Sequence, residues 1–339
     1  MTDKLSGEME MSALGRSGLR VTRMGLGLAA LGRPGYINLH HADDLGRQYD
    51  VGAMQGHAFE VLDAAWAAGI RYFDAARSYG RAEDFLGNWL AQRRILPSQV
   101  AVGSKWGYTY TAGWKVDAAV HEVKQHSLEV LRRQRQESGE RLDGYLRLYQ
   151  IHSATLESGV LSNQEVLAEL ARYRADGLVV GLTLSGPRQA ETLERALEVR
   201  VDGEPLFGEV QATWNLLETS AGKVLQAAHE AGLGVLVKEA LANGRLTSRN
   251  DDPEFAAKLH LLEWLAGEQG ATVDALALAA VLAQPWADVV LSGAAAADQV
   301  RSNAGAFRIR WDDHLAGQLA GLAEPPEEYW RERSALSWG

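Results

Sequence analysis

The stretch Gly69-Ile70-Arg71-Tyr72-Phe73-Asp74-Ala75-Ala76-Arg77-Ser78-Tyr79-Gly80 decides how the chain is read. Ile70, Tyr72 and Phe73 make a short run of β-branched and aromatic types, as a buried strand requires. Asp74 stands where that strand ends. Tyr79 follows on a turn closed by Gly80, and a helical pattern begins near Ala82. A second strand, 99–104, ends at Lys105, and the apolar run Tyr149-Gln150-Ile151 leads into His152. An acid, a phenol, an amine and an imidazole thus each fall just past a strand, on the side where parallel α/β folds carry their chemistry.

The four side chains make chemical sense together. A phenol with a pKa near ~10 is too weak an acid to protonate an alkoxide quickly at neutral pH. A nearby ammonium lowers that pKa, and a carboxylate can anchor the ammonium. A neutral imidazole can orient a carbonyl beside the phenol. Each residue alone has a plainer reading. Asp74 could cap a helix, Tyr79 could be a loop aromatic, Lys105 a solvated strand end, and His152 a structural histidine.

The joint pattern resembles the aldo-keto reductase family. Phe-Asp-x-x-x-x-Tyr-Gly at 73–80, Ser-Lys at 104–105 and Tyr-Gln-Ile-His at 149–152 look like its catalytic segments, and the resemblance covers roughly 14–303. It implies a catalytic set of Asp74, Tyr79, Lys105 and His152, working with a nicotinamide dinucleotide and without a metal.

Bulk properties restrict the alternatives. A chain of 339 residues, 46% hydrophobic, can bury a large core, and an α/β barrel of this size runs as one domain, here 1–339. No cysteine is present, so there is neither a disulfide framework nor a thiolate metal site, which agrees with a cytoplasmic location. The segment 1–11 is polar and acidic, without a secretory pattern, and the apolar run 275–283 is too short for a bilayer. A net charge of −10 argues against general nucleic-acid binding. The expected partner is a small carbonyl or sugar substrate; oligomeric state is left open.

Residues 13–21 read as a hairpin with a Ser-Gly turn (hairpin about 12–23), suited to plug the bottom of a barrel. Residues 32–56 read as a long irregular loop. Its His40, His41, Asp43 and Asp44 are metal-ligand types, but a solvated polar loop explains them as well. From Ala58, helix patterns at 58–68, 82–92, 117–133, 162–175, 187–199, 220–231, 254–267, 272–283 and 297–305 alternate with short apolar runs. Those runs fall at 70–73, 99–104, 145–151, 178–182, 208–213, 233–237 and 288–291, with a first at 24–28. Eight such units predict a closed (β/α)8 barrel. The tail 311–339, broken by Pro325-Pro326, carries two Trp and two Arg near its end; it either docks on the outer helices or folds over the barrel mouth.

No Gly-x-Gly-x-x-Gly fingerprint follows a strand, since Gly25-Leu26-Gly27 is only a pair of glycines. A dinucleotide would instead lie across the strand ends. The resemblance implies contacts from Gly27, Asp74, Thr183 and Gln211, with Gln211 on the nicotinamide amide. It further implies a strap over the pyrophosphate built from Lys238, Glu239, Ala240, Leu241, Asn243 and Arg245. Arg249 offers a second guanidinium. Ser292, Gly293 and Ala294 lead into a helix whose Gln299 and Asn303 share one face and could meet an adenine. Three departures stand out. Lys238 occupies the place of a stacking aromatic. Gly293, Ala294 and Gln299 stand where the family often carries 2′-phosphate ligands. Leu184, beside Thr183, replaces an amide-binding Asn. NADP(H) is the expected cofactor, with more tolerance of NAD(H) than usual.

Ala29, Trp106 and Trp338 are the expected substrate-pocket residues. The reading is a carbonyl reductase with Tyr79 as proton donor. Its rivals are the same parts run as a sugar or alcohol dehydrogenase, and a non-enzymatic cofactor-binding sensor subunit. A metal-dependent barrel enzyme would need a ring of ligands where only His152 stands.

Overall fold

The computed structural model describes residue 9 and residues 11–142 and 144–338; most of segment 1–11, and Gly339 of the tail, lie outside them. Eight parallel strands close into a barrel: β1 Met24–Gly27, β2 Tyr72–Asp74, β3 Ala101–Trp106, β4 Leu146–Ala154, β5 Val179–Leu184, β6 Glu209–Thr213, β7 Gly234–Lys238 and β8 Val289–Ser292. Neighbours follow chain order, and β8 pairs with β1 to close the ring. Between and after the strands lie α1 Val51–Ala67, α2 Ala82–Gln92, α3 Leu128–Arg141, α4 Gln164–Ala175, α5 Gln189–Leu197, α6 Gly222–Glu230, α7 Ala256–Glu268, α8 Val273–Leu282, α9 Ala297–Ala304, α10 Asp313–Leu319 and α11 Pro326–Ala335. Among the described residues, no single helix is long and apolar enough to cross a membrane.

The barrel's lower end is closed by the hairpin pairing Met11–Ala13 with Arg20–Thr22. Leu14 and Val21, both without exposed surface, pack with Tyr72, Ala101, Leu148, Leu236 and Val289 in a cluster distinct from the main core. Burying one such leucine contributes about 2 kcal/mol. Gly15 lets the hairpin approach, because a Cβ there would sit 2.3 Å from the Gly234 nitrogen. Polar groups fill the interior higher up. Glu209 is fully buried, and its two oxygens accept from the Gln150 amide at 2.9 Å each. Its room comes from Gly181, where a Cβ would lie 1.9 Å from Glu209 Oε2.

Three segments depart from the sequence expectation. The loop 32–56 holds a helical turn, His41–Asp44, and its end belongs to α1, which starts at Val51 rather than 58. Asp50 caps that helix, accepting from the Gly52 and Ala53 N–H groups at 2.9 and 3.1 Å, and the cap outweighs the two glycines that mask the helix in sequence. The expected helix 117–133 is instead a strand, Glu122–Lys124, paired antiparallel with Tyr108–Tyr110, followed by α3, which Ser127 caps. In the tail, Pro326 starts α11 rather than ending structure. A proline in the first helical turn gives up no hydrogen bond, because those N–H groups have no intrahelical partner.

Candidate active site

A cavity of about 460 Å³ opens at the C-terminal ends of the strands and runs toward the loops after β7 and β8. Asp74, Tyr79 and His152 line it; Lys105, 1% exposed, lies just beneath. Asp74 is the last residue of β2, and Lys105 stands one residue before the end of β3. The Lys105 ammonium donates to Asp74 Oδ1 and, at 2.9 Å, to the Ala75 carbonyl. Asp74 Oδ2 accepts from the Tyr72 hydroxyl at 3.1 Å and from Gln211 Nε2 at 3.0 Å. The carboxylate is therefore fully engaged, which fixes the lysine below the Tyr79 ring, 5.1 Å from its centroid. The Tyr79 hydroxyl lies 3.5 Å from His152 Nε2, with the rings edge to face.

The loop carrying Tyr79 is held from both sides. Glu83, fully buried, accepts from Ser104 Oγ at 2.5 Å, Ser138 Oγ at 2.6 Å and Arg77 Nη1 at 2.7 Å. On the other side the loop rests on Gly32. A Cβ at Gly32 would stand 2.2 Å from the Tyr79 carbonyl, and one at Gly80, at φ +59°, would stand 2.4 Å from the Gly32 carbonyl.

Electrostatics set the protonation states. Burial first, then the Asp74 charge, pushes the Tyr79 phenol well above its ordinary value, with Arg33 opposing. The sequence expectation of an acidified phenol is thus not met in the protein alone; the side chain is held as the protonated form a proton donor needs. Burial, then the Lys105 and Arg33 charges, drives His152 far below the usual imidazole range, so it is neutral near pH 7.

The remaining expected residues divide. Gly27, Ala29, Thr183, Gln211, Lys238, Glu239, Ala240, Leu241, Asn243, Ser292, Gly293, Ala294, Gln299, Asn303 and Trp338 line the cavity. Two residues are corrected. Trp106, though next to Lys105, is fully buried and turned edge-on to His126, away from the cavity, because its position in β3 points it outward. Arg245 does not line the cavity; it forks onto Glu324 at 2.9 and 2.7 Å and reaches Glu332 at 2.7 Å, fastening the tail. Thr183 is already engaged, accepting from the Ser153 N–H at 2.7 Å. Among the described residues no group of three or more His, Asp or Glu is arranged to hold a metal; His40 instead meets the Arg249 carbonyl at 3.0 Å.

Of the two alternatives for the tail, the structure shows the second: it folds over the barrel mouth, where Arg333 and Trp338 line the cavity. Tyr329 and Trp330 are buried, and the Tyr329 hydroxyl accepts from Asn215 at 3.0 Å. Arg333 then grips Glu239, and Trp338 stacks on His121 at 4.0 Å and 10° at the cavity wall. Lys238 donates to Thr213 Oγ1 at 2.8 Å, and burial lowers its pKa to about 8. Sequence reasoning missed Arg33. It is 3% exposed, lines the cavity, pairs with Glu122 at 2.9 Å, and lies 5.3 Å from the Tyr79 ring and 4.8 Å from Trp338. No motif marks it, since the loop and the short hairpin bring it there.

A nicotinamide dinucleotide fits these residues. The cavity joins the Tyr79 end to the start of α9, and Ala296 caps that helix without a side-chain bond, leaving the Ala297 and Asp298 N–H groups for an anion, while the Gln299 N–H donates to Asp298 Oδ1 at 2.9 Å. Beside it, a Cβ at Gly293 would meet nothing within 4 Å, so the backbone there is open to close approach.

Fold and site together describe a barrel oxidoreductase with a phenol–lysine–carboxylate–imidazole centre. The sequence profile of the Aldo/keto reductase family matches residues 24–324, and the chain belongs to that family of nicotinamide-dependent oxidoreductases. It is 26% identical to the pyridoxal 4-dehydrogenase of Microbacterium luteolum, over 87% of this chain and 92% of the relative. It is also 26% identical to the NADH-specific methylglyoxal reductase of Escherichia coli, over 94% of this chain and all of that protein. The fold matches that of the aldo-keto reductase AKR11C1 from Bacillus halodurans in its holo form, with a TM-score of 0.70 at 22% identity, covering 94% and 97% of the two chains.

Proposed function

We propose that the protein reduces the carbonyl group of a small aldehyde or ketone to an alcohol, with Tyr79 as the proton donor. The observation that carries this reading is the Tyr79 hydroxyl 3.5 Å from a neutral His152, above the Lys105–Asp74 pair. A bound reduced nicotinamide dinucleotide supplies the hydride. The carbonyl oxygen sits between the Tyr79 hydroxyl and His152 Nε2, where two donors polarise it. As negative charge builds on that oxygen, Tyr79 gives up its proton, and the Lys105 ammonium beneath the ring stabilises the phenolate left behind. Asp74 keeps the ammonium in place and does not itself exchange a proton. The same parts run backwards oxidise an alcohol.

The test is Tyr79→Phe. Loss of a general acid costs roughly 10²–10⁴ in kcat. The variant should bind the reduced cofactor with unchanged affinity and lose turnover by that factor across a panel of aldehydes. Full turnover in the variant would rule Tyr79 out as the donor, and a wild-type protein with no turnover on any carbonyl would leave only a binding role.

A further inference from the structure

We infer that the cavity takes NAD(H) in preference to NADP(H), because the wall that would face the adenosine ribose has acids where a 2′-phosphate needs cations. The inference rests on the cavity being the dinucleotide site of the proposed reaction. With the reacting end fixed at Tyr79, the adenosine falls on the other side of the mouth, among the loops after β7 and β8. Asp274 and Asp298 line that wall, and among the described lining residues there Arg249 is the one cation.

Arg249 is already spent. Its Nη1 donates to both oxygens of Asp44, at 2.6 and 2.9 Å, and its Nη2 to the His40 carbonyl at 2.8 Å. Asp44 accepts in addition from Gln299 Nε2 at 2.8 Å, while Gln299 Oε1 accepts from the Ala295 N–H at 2.8 Å. The side chain expected to meet the adenine region is thus locked at both ends, and the carboxylate behind it neutralises the guanidinium. Asn303 is occupied as well: its Nδ2 faces Asp274 Oδ2 at 2.7 Å, with its Oδ1 accepting from Ser292 Oγ at 2.8 Å. Asp274 and Asp298 are left as net negative charge on the wall.

A 2′-phosphate brings about two further negative charges and three acceptor oxygens. It would find one guanidinium that it must pull from Asp44, and acids that repel it. A ribose 2′-hydroxyl donates a hydrogen bond, which a carboxylate accepts. The wall is therefore complementary to the unphosphorylated ribose.

The experiment is fluorescence titration of the full-length protein with NADH and with NADPH at equal ionic strength. NADH should bind at least tenfold more tightly. Asp44→Asn frees Arg249 and should narrow the ratio of the two dissociation constants at least threefold. Asp298→Asn, at an exposed position, should narrow it in the same direction if the first variant fails to fold. NADPH binding as tightly as NADH, or a ratio unmoved in the folded variants, overturns the inference and leaves the carbonyl-reductase reading intact. Binding of neither nucleotide overturns both.

Discussion

The Gln211 carboxamide donates to Asp74 Oδ2 across 3.0 Å, so the acid at the end of β2 is held from β6, the strand opposite it in the ring. With Lys105 and the Tyr72 hydroxyl also donating to it, Asp74 has no room for a different hydrogen-bonding pattern. Closure of the barrel is thus a condition for the site, not only its support.

Asp74→Asn follows from this. The amide keeps the shape but offers one acceptor oxygen, and its Nδ2 meets donors. Breaking a buried ion pair from one side costs about 3–5 kcal/mol. Urea unfolding should show a loss of at least ~2 kcal/mol, and kcat should fall at least tenfold in the folded variant. An unchanged urea midpoint would mean that the Asp74–Lys105 pair carries no stability.

Gly32→Ala separates positioning from folding. The new methyl would stand 2.2 Å from the Tyr79 carbonyl and 2.5 Å from Ala82 Cβ, so the Tyr79 loop or residue 32 must shift. Overpacking of this kind costs roughly 1–3 kcal/mol, while misplacement of a reacting group by about 1 Å can cost a hundredfold in rate. The expected result is a larger loss in kcat than thermal stability alone would suggest. Wild-type kcat at a reduced Tm would show that the loop tolerates the shift.

The alternation of helix and strand patterns was legible along almost the whole chain, because each unit buries one face against the ring and writes that periodicity into its sequence. Ser-Lys at 104–105 and the run into His152 placed their side chains for the same reason. What stayed hidden depends on packing between segments distant in sequence. Trp106 could not be told from a pocket residue without knowing which way β3 turns it. Arg245 matches a phosphate ligand until Glu324 and Glu332 arrive from the tail. Residues 117–126 carry enough apolar spacing for a helix, yet 122–124 among them pair with 108–110 as a hairpin whose Glu122 meets Arg33.

Lys238 gives a pH signature. Burial holds its folded pKa at about 8, below the ordinary 10.5 that the unfolded chain recovers. Between those values the unfolded state binds more protons, so this residue makes stability rise with pH across the window and contributes little slope below pH ~7. The rise amounts to roughly 3 kcal/mol across that window. Lys238→Met should remove it, measured as the difference in unfolding free energy between pH 7.5 and pH 10 for the two proteins. Parallel curves would mean that the ammonium is solvated.

Arg33 and Trp338 make the most direct statement about substrate. The guanidinium lies 5.3 Å from the Tyr79 ring, both of its hydrogen bonds run from Nη1, to Glu122 and to the Ser78 carbonyl, and Trp338 covers it at 4.8 Å. A polar substituent on the substrate can meet the Arg33–Glu122 pair as donor and acceptor while its carbon chain lies on the indole. Such contacts form in the ground state as well as the transition state, so losing them raises KM more than it lowers kcat. Arg33→Met should raise KM about tenfold for aldehydes bearing a hydroxyl or carboxylate and change it little for unsubstituted ones. Trp338→Ala should raise KM for both groups about threefold. Equal effects of Arg33→Met on polar and apolar aldehydes would show that the arginine only braces the wall through Glu122, and that the tail, not the guanidinium, selects the substrate.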